Sequence, residues 1–264
     1  MASLAVAYMA SRILNIIPNT EWWFILPMVV WVVYSLDHII DSTKRKERAI
    51  IERHRFHYIN SKPIIIAVVI IGVVAIWLSF TYLDYLIIRY GIILSFIIGV
   101  YFSILVFLKD RKLAILQKEL FIAIVYTSGL FMAPLVWYGS LPSFSVIIII
   151  FCICTLAWAE GIMISYFDFE NDIKDGHSSL SIILGKKITR RFILVLHIAI
   201  EALLVIVLLL IEQSDVIVMA MAILIVMNLI LGLIILFPYS TLSNRYHRVI
   251  GESVFFLPAL IVLA

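Results

Sequence analysis

Long apolar runs separated by short polar links set the plan of this chain. Nine runs read as spans: roughly residues 2–17, 22–40, 63–83, 86–108, 119–138, 143–166, 192–211, 215–237 and 247–264. A bilayer core takes about 20 predominantly apolar residues per helix, and most of the runs reach that length. They are continuous rather than alternating, which excludes an outer-membrane barrel of short strands. The pattern predicts an all-α membrane protein with nine transmembrane helices, forming a single domain over residues 1–264.

Composition strengthens this reading. The chain is 64% hydrophobic and 14% charged, with a mean hydropathy of +1.13, whereas a soluble domain is roughly half apolar and about a quarter charged. A disordered chain, a disulfide scaffold and a soluble nucleic-acid binder are excluded. Cys152 and Cys154 lie two apart in an apolar run; on a helix they face different ways, and two ligands do not complete a structural zinc site. They read as small apolar fillers. Residues 1–17 show no basic segment followed by a small-residue cleavage site. The plasma membrane of a bacterium or archaeon is the simplest expected home.

Charge orients the spans. The links at 41–62, 109–118, 167–191 and near 238–248 carry 18 of the 20 Lys and Arg residues, and the links at 18–21, 84–85, 139–142 and 212–214 carry none. Short basic loops mark the cytoplasmic side, so the N-terminus is expected there. A basic face also suits anionic lipid heads and does not by itself demand a phosphate ligand. Two of the basic links are roughly twenty residues long, and long connections in a compact protein tend to be functional. Residues 44–60 mix Ile50, Ile51, Phe56 and Tyr58 with many charges. They read equally well as an interfacial amphipathic helix or as a solvated anchor.

Carboxylates at span ends carry the sharpest chemical signal. The second run ends in WVVYSLDHIIDS, and its Asp37 and Asp41 are four apart with Tyr34 one turn earlier, so they share a helix face. The sixth ends in ISYFDFENDIKDG, where Asp168 and Asp172 repeat the spacing. Gly161, Ser165, Asp168 and Asp172 form one small or polar stripe. Acids near membrane depth are costly and usually functional. Two such pairs would repel unless a cation lay between them, and Mg²⁺ binds through carboxylates together with substrate phosphate oxygens. The competing reading has each pair capping its own helix end, neutralised by nearby Lys and Arg. Elsewhere in the spans, Glu160 is a further intramembrane acid. His197 and Glu201, four apart, are expected to hydrogen-bond to each other. His38, His54 and His57 flank the first acid pair without zinc-site spacing.

These motifs resemble the UbiA-type intramembrane prenyltransferases. That family's first motif is Asn-Asp-x-x-Asp-x-x-x-Asp; the matching stretch here is V-Y-S-L-D-H-I-I-D, with Asp37 and Asp41 in register and Val33 and Tyr34 in the opening positions. Its second motif, D-x-E-x-D-x-x-x-G-x-x-T-L followed by L-G, is matched by Asp168, Glu170, Asp172, Gly176, Leu180, Leu184 and Gly185, with Ser179 for Thr. A basic pair after the fourth span is matched by Lys109 and Arg111, and the family's tyrosine four residues earlier is Leu105 here.

The resemblance implies a UbiA-like helical bundle that transfers a prenyl group from an isoprenyl diphosphate to a lipophilic acceptor, an aromatic one among the candidates, inside the membrane. It implies Mg²⁺ held by Asp37, Asp41, Asp168 and Asp172, with Arg53, Arg55, Lys109 and Arg111 on the phosphates. Tyr34 and Ser165 would line the substrate. Tyr34, Trp158 and Tyr166 offer ring faces to an allylic cation, or alternatively belong to interfacial belts and packing. Neighbouring functions are a non-catalytic lipid-diphosphate binder, a terpene cyclase using the same ionisation, and a transporter. A transporter would place its acids near the midplane in repeated halves.

Overall fold

The computed structural model describes residues 2–42, 52–107, 118–175, 179–211 and 214–264, and every regular element among them is a helix. In chain order these are α1 (Ala2–Ile13), α2 (Trp22–Ser42), α3 (Glu52–Ile59), α4 (Ser61–Tyr82), α5 (Tyr85–Phe107), α6 (Lys118–Tyr138) and α7 (Phe144–Phe167). They continue with α8 (Phe169–Asp175), α9 (Leu180–Leu184), α10 (Lys186–Leu210), α11 (Asp215–Leu236), α12 (Thr241–Val254) and a 3₁₀ helix (Leu257–Leu263). Eight stretches among the described residues are long and apolar enough to cross a bilayer. The expected first span is instead α1, a helix of 12 residues. At about 1.5 Å per residue it rises roughly 18 Å, short of the ~30 Å hydrocarbon core. The last stretch is not one helix either. It breaks at Phe255 and Phe256, just before Pro258, which has no N–H to continue an α-helical ladder.

Lipid does not drive helices together by the hydrophobic effect, so close packing and interhelical hydrogen bonds must hold the bundle. Its centre shows both. α7 packs against α6, α10 and α11, and α1 packs against α2, α6, α11 and the 3₁₀ helix. Val6, Ala7, Met9 and Ala10 of α1 are fully enclosed, as are Ile149, Ile153 and Leu156 of α7 and Met221 and Leu224 of α11. Alanines along α1 leave room for this close approach. By contrast, α4 buries only Val68 and Ala75, while Ile66, Val69, Val73 and Trp77 are exposed. α4 packs along α2 and α5 along α6, and the two make little contact with each other.

One polar clamp crosses the packed half. Asn228 on α11 donates through Nδ2 to the His197 carbonyl at 2.9 Å and to Glu201 Oε2 at 2.7 Å. Its Oδ1 lies 2.7 Å from His197 Nδ1. The carbonyl only accepts, so the amide orientation is set, and Nδ1 must carry the imidazole proton. The expected direct His197–Glu201 bond is therefore replaced by a bridge through a neighbouring helix. Arg190 adds a second tie between the same helices, donating to the carbonyls of Ile235 and Leu236 at 3.2 and 3.0 Å. These are carbonyls that the end of α11 leaves without intrahelical donors.

Candidate functional site

Asp168 closes α7 with φ −81° and ψ 2°, its N–H still bonded to the Ile164 carbonyl. α8 starts at the next residue, and the Asp172 N–H donates to the Asp168 carbonyl at 2.8 Å. The bend therefore keeps the two acids one turn apart, with Asp172 buried. The small and polar stripe leading to them is used by three neighbours. A Cβ at Gly161 would lie 3.6 Å from Glu119 Cβ on α6. Ser165 Oγ lies 3.0 Å from Ser181 Oγ of α9 and donates to the Ile162 carbonyl. Asp168 Oδ2 faces Arg248 Nη2 of α12 at 3.8 Å, and Arg248 Nε reaches Glu252 at 3.5 Å. Ser165, expected to touch substrate, thus joins α7 to α9.

The other acid station lies at the end of α2. Asp37 Oδ1 pairs with Lys118 Nζ at 3.3 Å, both side chains less than a fifth exposed. Next to it, the Tyr34 ring lies 4.0 Å from His38, and His38 lies 5.0 Å from His57 of α3. Tyr34 is 52% exposed. Arg55 is exposed on α3. Lys109 and Arg111 lie outside the described residues, as do residues 43–51 of the basic link and the side chains of Asp41, Arg53 and His54.

The first turn of α6 connects the stations. Lys118 pairs with Asp37, and the adjacent Glu119 accepts the Leu180 N–H at 3.1 Å, capping α9. Chain-distant segments at 37, 118–119, 161–168 and 180 are thereby brought to one end of the bundle. α9 ends at Gly185, whose φ of +77° is strained for any residue with a Cβ; this is the physical role of the Leu-Gly pair closing the second motif. From there Lys186 places its ammonium 5.5 Å from the Tyr166 ring and 6.0 Å from Phe169, a cation–π arrangement. Trp158 meets Phe192 edge to face, so both of these aromatics already have packing partners.

Carboxylate oxygens are hard donors suited to Mg²⁺. Among the described residues no three His, Cys, Asp or Glu side chains are gathered as a metal-holding group; instead each station is balanced by a cation, Lys118 at one and Arg248 at the other. Those two cations, with Glu119 and Lys186, are the site residues that sequence reading missed. Lys118 and Arg248 were visible only as members of a basic face, because nothing in their local pattern names the acid they meet.

A family model described as the UbiA prenyltransferase family matches residues 34–256. The matched stretch opens on Tyr34 and takes in both acid stations and both facing cations. Comparison with curated proteins and with solved structures returned no match.

Proposed function

This chain belongs to the UbiA prenyltransferase family, and on that premise we propose that it moves a prenyl group from an isoprenyl diphosphate to a lipophilic acceptor within the bilayer, using Mg²⁺. In this reaction the bond between the allylic carbon and the diphosphate oxygen breaks, and its electron pair leaves with the diphosphate. A nucleophilic atom of the acceptor bonds to that carbon and loses its proton. Family membership supports the reaction class. The observation that carries the reading to particular residues is the first turn of α6, where Lys118 pairs with Asp37 while Glu119 bonds the α9 segment that follows Asp168 and Asp172.

Asp37, Asp168 and Asp172, with Asp41 four residues after Asp37 in the chain, would supply the oxygen donors for Mg²⁺. The metal would neutralise charge growing on the departing diphosphate. Lys118 and Arg248 neutralise the acids in the ligand-free protein and are placed to turn to phosphate oxygens, where charge-assisted hydrogen bonds are strongest. The half-exposed Tyr34 ring offers a quadrupole to an allylic cation, worth about 0.5–2 kcal/mol. The positive-inside distribution supports an acid end facing the cytoplasm.

The test is turnover of radiolabelled prenyl diphosphates of several chain lengths by purified protein with and without Mg²⁺, beside Asp168→Asn/Asp172→Asn. Mg²⁺-dependent diphosphate release that the variant loses is the expected result, and the labelled product then separates an acceptor adduct from a cyclised terpene. Metal-dependent binding with no release for any acceptor would instead identify a non-catalytic binder. Absence of binding at every chain length would remove the diphosphate site altogether.

A further inference from the structure

The α4–α5 pair forms a wedge that the reaction does not use. The two helices are joined through Leu83 and Asp84 and diverge from there. The gap is a groove of about 500 Å³ lined by Phe80, Leu83, Tyr85, Ile88, Arg89 and Ile92. It lies at the end of the bundle away from the acids. Trp137 Nε1, near the end of α6, donates to Asp84 Oδ2 at 2.6 Å, while Lys118 at the start of the same helix pairs with Asp37. The 21 residues of α6 separate those points by roughly 30 Å at about 1.5 Å per residue.

Arg89 is the anomaly in this groove. Only it and Arg12 fall outside the four basic links. Its side chain is exposed, and no carboxylate among the described residues pairs with it. Phe80 and Tyr85 line the groove with it and are exposed, as are Tyr82 and Tyr90 close by in the chain. Aromatics clustered at a span end mark the headgroup level of a bilayer. An unpaired guanidinium at headgroup depth, above a concave apolar wall open to lipid, matches one molecule in two places.

We propose that this wedge binds one anionic phospholipid, its phosphodiester on Arg89 and one acyl chain along Phe80, Ile88 and Ile92. The planar guanidinium fork fits two phosphate oxygens. A headgroup with net charge −1 leaves the pair neutral, whereas a choline headgroup brings its own ammonium to the same phosphate. Phosphatidylglycerol is therefore the occupant to test.

Native mass spectrometry of the full chain, equilibrated with phosphatidylglycerol or phosphatidylcholine, reads this directly for wild type, Arg89→Gln and Ile92→Trp. The basic opposite face also attracts anionic lipid, so the readout is the difference between variants. Wild type should retain one more phosphatidylglycerol than either variant, with occupancy of that adduct falling at least about fivefold in both, and should not retain phosphatidylcholine in its place. Equal retention in all three proteins would overturn the site. Loss in Arg89→Gln with Ile92→Trp unchanged would reduce it to surface charge and overturn the groove. Equal retention of phosphatidylcholine would overturn the anionic selection.

Discussion

The two acid stations sit in contrasting surroundings. Asp168 and Asp172 are held at the bend between α7 and α8, with α6, α9 and α12 all contacting the stripe that leads to them. Asp37 ends a helix whose neighbours α3 and α4 are largely exposed, beside the Tyr34–His38–His57 column rather than a third acid. Asp37 and Asp168 are enclosed alike, their side chains 17% and 19% exposed, but the full second motif coincides with the station contacted by more helices and the shortened first motif with the one beside the ring column. Placement inside a close-packed core demands that several residue identities be kept together, because each contact there fixes the next.

That contrast can be broken in stages. Asp168→Asn or Asp172→Asn should lower prenyl transfer by about 100-fold, and Asp37→Asn by only about tenfold, taking the usual span for loss of a metal-orienting group. Equal losses, measured as kcat/KM with Mg²⁺ in excess, would erase the distinction between stations. Lys118→Met removes the cation from Asp37 alone and should raise KM for the diphosphate about tenfold, the scale of one charge-assisted hydrogen bond. An unchanged KM would return Lys118 to a purely structural pair with Asp37.

Packing gives a further handle. A Cβ at Gly251 of α12 would come within 2.9 Å of Met163 Cε and 3.4 Å of Glu160 Oε1, whereas one at Gly99 of α5 meets nothing within 4 Å. Gly251→Leu should therefore destabilise by about 1–3 kcal/mol through overpacking, and Gly99→Leu should leave the melting temperature in detergent essentially where it was. The smallest expected effect sharpens the comparison from the other side. Tyr34→Asp adds a carboxylate one turn before His38 and should tighten apparent Mg²⁺ affinity about threefold, one nearby charge in a high-dielectric setting. A weaker Mg²⁺ response would mean that the ring column is needed more than the acid.

Much of this was legible from the order of residues, and the exceptions have physical causes. The long runs from α2 to α11 declare themselves because lipid selects for unbroken apolar stretches. The α7–α8 station declares itself because its acids sit four residues apart on one chain. Lys118 and Arg248 did not, since an ion pair between segments about 80 residues apart in sequence leaves no local trace. Asn228 was passed over for a similar reason: an intrahelical His197–Glu201 bond satisfied the local spacing, and only the neighbouring helix shows a better partner. The first run is shorter as a helix than its sequence run; alanine and serine in Ala2–Ile13 are apolar enough for lipid, and in the folded protein they also serve close contact with other helices.

The enclosed α1 has a consequence for how the molecule is made. Its partner, the 3₁₀ helix, is separated from it by nearly the whole sequence, and contacts between such distant segments form last and slowly. During synthesis α1, with a rise of only roughly 18 Å, stays without this partner until residues 257–263 have been made. Assembly thus includes a lock between two segments very far apart in the nascent chain. A chain stalled before residue 257 holds Asp37, Asp168 and Asp172 yet lacks the segment that packs against α1.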